Sequence, residues 1–353
     1  MIALWLCLLP IAWVLISKVI FHKDISVTEM AWSIGIPCVA IIVVVLFATL
    51  GKTIDIEIRN GQITEKYSKR VSCSHSYPCR CRQVCSGTGK NRSCYQKCDT
   101  CYRHSYDVSW IAESTVGDFY INRIDSQGLK EPPRWSKVEV GEPASKEYSF
   151  TNYIKASPNS LFNFKADGSM PVPNYVSVYD YYRINRIVNL SKYSIPDLHV
   201  FNEKLNLMLR ELGPAKQVNI IVIITDFDRK YKNHLESAWL GAKKNDVVII
   251  YGIDSNRQIT WADSFSFAKS VGNHEFHIML RNELEAVLDF QDLNQHTSII
   301  SNLLSKKFVR VQMSDFEYLK EEIMPSDAVL WILVIVLTIF LIAATIFNVK
   351  NEL

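Results

Sequence analysis

The sequence predicts a membrane protein of mixed α+β and α/β class: three transmembrane helices, a small β- and Cys-rich domain, and an α/β sandwich. Three observations lead there. Apolar residues concentrate at the two ends of the 353-residue chain. Seven of its nine cysteines fall between Cys73 and Cys101. From Tyr175 onward, helical and strand periodicities alternate.

Met30–Leu50 and Ala328–Phe347 contain no charged residue. A helix rises about 1.5 Å per residue, so roughly 20 residues cross a hydrocarbon core of about 30 Å. A first span over 1–21 carries Lys18 near its end, where a lysine snorkels to the interface. Trp5, Trp13, Trp32 and Trp331 fit interfacial belts. The first span lacks a basic leader and a small-x-small cleavage site, so it is expected as a retained helix. It pairs with the span over 30–50 through the short loop from His22 to Glu29; the third span covers 328–347.

Lys18 and Lys23 flank that loop, and Lys350 lies in the C-tail. The positive-inside bias therefore puts loop and tail in the cytoplasm and the large region on the periplasmic side. The cysteines depend on the same choice. Outside the cytoplasm, Cys73, Cys79, Cys81, Cys85, Cys94, Cys98 and Cys101 form three disulfides and leave one thiol. Inside, they form a Zn²⁺ module, for which Cys98-x2-Cys101 with His104, and Cys81-x3-Cys85, are the ligand pairs. Both readings stand at this point. The same stretch is basic, with Arg80, Arg82, Lys90, Arg92, Lys97 and Arg103 against Asp99, a surface suited to phospholipid headgroups or an acidic partner.

The net charge of +3 is too small to imply nucleic acid, and no nucleic-acid partner is expected. Within the domain at 51–130, Ile54, Ile56 and Ile58 alternate with Asp55, Glu57 and Arg59 ahead of Asn60-Gly61. That pattern predicts a hairpin with an apolar isoleucine face and a solvated charged face. Two short strands are expected between Tyr106 and Ile124. The Pro-, Ser- and Lys-rich segment 131–174 reads as an irregular linker.

The third domain, 175–325, opens on an extended segment. A helix then runs from Leu198 to Gly213-Pro214, which stops it. Val218–Ile224 and Val247–Tyr251 are β-branched runs suited to burial on both faces, and are expected as adjacent central strands. A helix over Tyr231–Ala242 separates them. A strand over Ile259–Phe267 and helices over Leu280–Leu288 and Leu293–Leu304 follow. Three stretches carry a resemblance: Gln217–Thr225, Leu240–Tyr251 and Arg257-Gln-Ile-Thr260. Over roughly 198–288 the chain resembles the TPM-domain family of membrane-associated modules, which implies a TPM-like sandwich. Where that family carries glycines after the third strand, Trp261-Ala-Asp-Ser-Phe-Ser-Phe267 stands here. The cysteine segment and Arg123–Trp135 are similar to membrane proteins of large tailed bacteriophages, a likeness that brings no function with it.

Asp226 and Asp228 follow the first buried strand and Asp254 the second, where ligands of open α/β sheets gather. They are candidate ligands for Ca²⁺ or Mg²⁺, and the TPM resemblance implies calcium binding and phosphatase activity. His274 and His277 read as a surface pair, since no H-E-x-x-H pattern accompanies them. No nucleophile elbow is present, and Gly87-Thr-Gly-Lys90 lacks Walker spacing. Two functions follow. One is a non-enzymatic extracytoplasmic binding module that engages the bilayer and a membrane or envelope protein. The other is a metal-dependent phosphatase-type hydrolase built on the three aspartates.

Overall fold

The computed structural model describes residues 2–21, 26–86, 93–158, 170–267 and 272–351. Three helices are long and apolar enough to cross a membrane: α1 (Ile2–Ile20), α2 (Val27–Thr53) and α9 (Asp327–Asn351). Ser26 caps α2 with Glu29 completing a capping box. Most of their surface is exposed. Where they meet, Cys7 packs with Ile41, Val45, Leu333 and Leu337, and Trp13 Nε1 donates to Thr345 Oγ1 at 3.1 Å. Ile2 and Ala3 pack against the same cluster. The three helices thus run alternately up and down, and the N-terminus lies on the side of the folded region.

α2 continues without a break into β1 (Ile54–Val71), one strand of 18 residues. The expected hairpin at Asn60-Gly61 does not form. The membrane-proximal half of β1 pairs antiparallel with β6 (Pro143–Thr151), and the distal half, beyond an irregularity at Ile63/Glu65, pairs with β4 (Asp107–Ser114). With β5 (Phe119–Ile121) the order is β5-β4-β1-β6. β4 and β5 are the two strands expected between Tyr106 and Ile124. β6 falls within 131–174, so that segment is not an irregular connection throughout; its Pro and Ser residues sit on a sheet edge, where they are tolerated.

The alternation of β1 is inverted over its first four residues, whereas Ile58 is buried and Arg59 exposed as expected. Asp55 and Glu57 are buried, whereas Ile54 and Ile56 are exposed beside the end of α2. The reason is what covers the charged face. Asp55 accepts from Asn152 Nδ2 at 2.8 Å and pairs with Lys243 and Lys155. Glu57 pairs with Arg59 at 2.8 Å and with Arg310. Burial by itself would raise the Asp55 carboxyl, but Lys243 and Asn152 outweigh it and hold it below its ordinary value.

Elsewhere the chain forms two short helices, α3 (Pro133–Ser136) and α4 (Tyr153–Ala156), and a pair of two-residue strands, β7 (Val178–Tyr179) and β8 (Arg183–Ile184). The second unit is built on a four-stranded sheet. β9 (Ile187–Asn189), β10 (Asn219–Thr225) and β11 (Asp246–Ile253) are parallel, and β12 (Ile259–Ser266) closes the edge antiparallel to β11. All residues of β10 and β11 are buried, as their β-branched runs require. One face packs against α5 (Leu198–Lys216), α7 (His274–Glu285) and α8 (Leu293–Lys307) through Phe201, Leu205, Leu280 and Leu304. The other packs against α6 (Lys230–Ala238) through Tyr231 and Leu235. α6 is shorter than expected, and α7 begins earlier than the Leu280–Leu288 pattern indicated.

α5 runs through Gly213-Pro214 and ends at Gln217, whose φ is +50°. Gly213 is placed for a crossing, not for a stop: a Cβ there would lie 2.8 Å from the Asn60 carbonyl oxygen. On the same strand, a Cβ on Gly61 would meet Thr115 Oγ1. Asn60-Gly61 is therefore a close passage of backbones under α5 and the β4–β5 connection.

Around that passage lies a buried polar network joining the two units. Arg186, 1% exposed, donates to Asn60 Oδ1 at 2.6 Å, Ser145 Oγ at 3.0 Å, Asn206 Oδ1 at 2.6 Å and Asn219 Oδ1. Asn219 Nδ2 donates to Asp246 Oδ1 at 2.8 Å, and Tyr175 donates its hydroxyl to the other carboxylate oxygen. Burial pushes Asp246 up to about 6 and Arg186 down to about 9. Such a network is costly to leave half-made.

Candidate functional site

Beyond Val71 the chain leaves the first sheet as a hairpin of β2 (Ser76–Ser86) and β3 (Ser93–Tyr102). At roughly 3.3 Å per residue, β1 measures about 56 Å along its length, so the hairpin leaves the sheet at the end far from α2. Nearly all of its residues are exposed. An isolated two-stranded hairpin is marginal in water, and this one has only Val84 and its tyrosines as apolar material.

Disulfides supply what packing does not. Cys79–Cys101, Cys81–Cys98 and Cys85–Cys94 are nested, with Cα separations of 5.8, 3.9 and 4.0 Å. Cys85 and Cys94 are register partners; near the other two, the register slips between Cys79 and Arg82, where Arg80 takes a φ of +47°. Closing a loop of about 20 residues restricts the unfolded chain by roughly 3 kcal/mol. Six of the seven clustered cysteines are thereby paired and Cys73 is free, as the disulfide reading required. The ligand pairs of the zinc reading, Cys98 with Cys101 and Cys81 with Cys85, are consumed.

The hairpin surface is basic and aromatic. Arg80, Arg82, Lys97 and Arg103 are exposed, as are Tyr77, Tyr95 and Tyr102. Lys90 and Arg92 lie outside the described residues.

At its neck, four further side chains converge. Cys73 and His75 enter the hairpin, and His104 and Asp107 leave it; the strands are held there by Arg103 N–H donating to the His75 carbonyl at 3.0 Å. His104 Nδ1 lies 3.2 Å from Asp107 Oδ1 and 3.7 Å from Cys73 Sγ; His75 Nδ1 lies 3.9 Å from Asp107 Oδ2. Asp107 has no exposed surface. Its Oδ2 accepts from Ser74 N–H at 2.8 Å, the Ser74 hydroxyl at 3.0 Å and Arg123 Nη1 at 2.7 Å. The Ser74 backbone N–H, then Arg123, the Ser74 hydroxyl and His104, hold this carboxyl far below the usual carboxylate range against the opposing effect of burial. Sequence reasoning placed Cys73 among the disulfide candidates and His104 beside Cys101. It missed His75 and Asp107, and the only available signal was their position flanking the hairpin.

Asp226, Asp228 and Asp254 do lie after β10 and β11, but Asp228 and Asp254 serve their own loops and Asp226 reaches the loop after β9. Asp226 pairs with Lys192 at 3.2 Å. Asp228 accepts from Lys230 N–H at 2.9 Å, and Asp254 from the N–H groups of Asn256 and Gln258 at 2.8 and 2.9 Å. Among the described residues, the group of His, Cys, Asp and Glu placed to hold a metal is Cys73, His75, His104 and Asp107, and the three aspartates are not in it. A cleft of about 410 Å³ lies elsewhere, lined by Glu142, Tyr182, Arg183, Asn202 and Asn206 among others. His277 is not on the surface: it is buried, with its two ring nitrogens 2.7 and 2.8 Å from the hydroxyls of Ser264 and Ser266.

No family model, no curated protein and no solved structure matches the chain.

Proposed function

We propose that this chain is a membrane-anchored, extracytoplasmic binding module that presents its disulfide-laddered hairpin to a membrane or envelope protein. The observation that carries the reading is the hairpin: three nested disulfides hold an exposed surface of arginines, Lys97 and tyrosines that has no core beneath it. Disulfides persist in oxidising compartments, which agrees with the lysine bias that puts the C-tail inside. Tyrosine and arginine are the residues that carry binding energy at interfaces. The anchoring fits presentation, since β1 joins α2 directly and α9 returns from the same folded region. The TPM-like reading of the α/β unit and the bacteriophage likeness belong to this proposal and rest on sequence motifs alone. Topology tests it. Protease added to cells with a permeabilised outer barrier should cut the region from 51 to 327 while a tag after Leu353 stays protected. A protected large region overturns the reading.

A further inference from the structure

We propose that Cys73, His75, His104 and Asp107 form a structural zinc site that clamps the neck of the hairpin. The donor set is one sulfur, two imidazoles and one carboxylate, and all four ligand atoms lie within 4.8 Å of one another. A tetrahedral zinc ion with Zn–S near 2.3 Å and Zn–N or Zn–O near 2.0 Å sets its sulfur and nitrogen ligands about 3.6 Å apart and its nitrogen and oxygen ligands about 3.3 Å apart. The corresponding separations are 3.7 Å for Cys73 Sγ to His104 Nδ1 and 3.2 Å for His104 Nδ1 to Asp107 Oδ1. Thiolate and imidazole together favour zinc over the hard cations calcium and magnesium.

Three features support the assignment independently of distance. The thiol is the one clustered cysteine left out of the disulfides, and it is buried. The carboxylate is oriented by Ser74 and Arg123 through Oδ2, which leaves Oδ1 toward His104; outer contacts of this kind fix metal ligands in place. One thiolate and one carboxylate match the charge of a divalent ion, and Arg123 remains paired to the other oxygen of that carboxylate. Four protein ligands leave no open coordination position, and this marks the site as structural and not catalytic.

The ligands come in two pairs from the two chain segments that enter and leave the hairpin. Zinc there joins Cys73 and His75 to His104 and Asp107, and so fixes the angle at which the disulfide ladder stands on the sheet. The disulfides hold the hairpin's internal shape; the metal holds its orientation.

Cobalt(II) is the probe, because it takes zinc sites and reports a tetrahedral thiolate environment by visible bands and a sulfur-to-metal charge-transfer band. The full chain in detergent, with disulfides intact and Cys73 reduced, should bind one cobalt per chain with both signatures, and zinc should displace it. Cys73→Ser should remove the charge-transfer band. His104→Ala should weaken binding by at least about 100-fold, as expected when one of four ligands is lost. Alkylation of Cys73 in the unaltered protein needs no variant: zinc should block it and chelator should restore it. An octahedral cobalt spectrum, a charge-transfer band that survives Cys73→Ser, or Cys73 alkylation indifferent to zinc overturns the site. So does a Cys73 disulfide between two chains, seen as a dimer on non-reducing gels.

Discussion

In the α/β unit, β10 and β11 have every residue buried, and Phe201, Leu205, Leu280 and Ile300 are packed against them with no exposed surface. In the hairpin, β2 and β3 expose nearly every residue, and crosslinks hold the strands together. The first region is stabilised by removing apolar surface from water, at roughly 25 cal/mol per Å². The second is stabilised by restricting the unfolded chain. The difference teaches where recognition is free to sit. A surface whose shape comes from covalent staples spends no side chain on packing, so its tyrosines and arginines all remain available. The core-built unit has no such freedom; in the proposed function it is the platform.

The sharpest way to break this comparison is to reduce the disulfides under native conditions. Hydrogen exchange should then show protection of β2 and β3 lost by orders of magnitude while β10 and β11 stay protected, because a two-stranded hairpin without a core is marginal. If the hairpin keeps its protection in reductant, the staples are not what holds it.

A second experiment concerns the joint between the platform and the strand that carries the hairpin. Arg186 links Asn60 and Ser145 of the first sheet to Asn219 of the second. Arg186→Met removes the buried cation and leaves Asp246 without it, so unfolding in denaturant should show a loss of about 3–5 kcal/mol. A loss below about 1 kcal/mol means that the two units dock by their apolar contacts instead.

The smallest effect is a pH dependence confined to the same joint. The Asp246 carboxyl is raised from 3.8 to about 6, so the folded state holds its proton more tightly than the unfolded chain does. This stabilisation is fully present below the unfolded value and is lost as pH rises through about 6. Two units correspond to roughly 3 kcal/mol at most. Asp246→Asn cannot titrate there, so its stability relative to the unaltered protein should improve by up to that amount between pH 4 and pH 7. The hairpin, whose disulfides do not titrate, should contribute nothing to the change. A stability difference constant across this range would show that Asp246 does not titrate in the window.

The linear pattern alone determined the three helices long and apolar enough to cross a membrane, two of them charge-free over about 20 residues, a run with few other uses. It likewise determined β10 and β11 as adjacent buried strands, and the odd cysteine, because seven thiols cannot all pair. Only the tertiary structure decided which face of β1 is covered. An alternating strand has two faces, and nothing local to Asp55 and Glu57 says that Lys243 and Arg310 will meet them. Asn60-Gly61 has the chemistry of a turn, yet Gly213 of α5 crosses over Asn60 there, and the absent Cβ of Gly61 makes room for Thr115. The neck was legible least of all. Cys73 and His104 are 31 residues apart in the chain, and only closure of the hairpin between them brings thiol, imidazoles and carboxylate to one point.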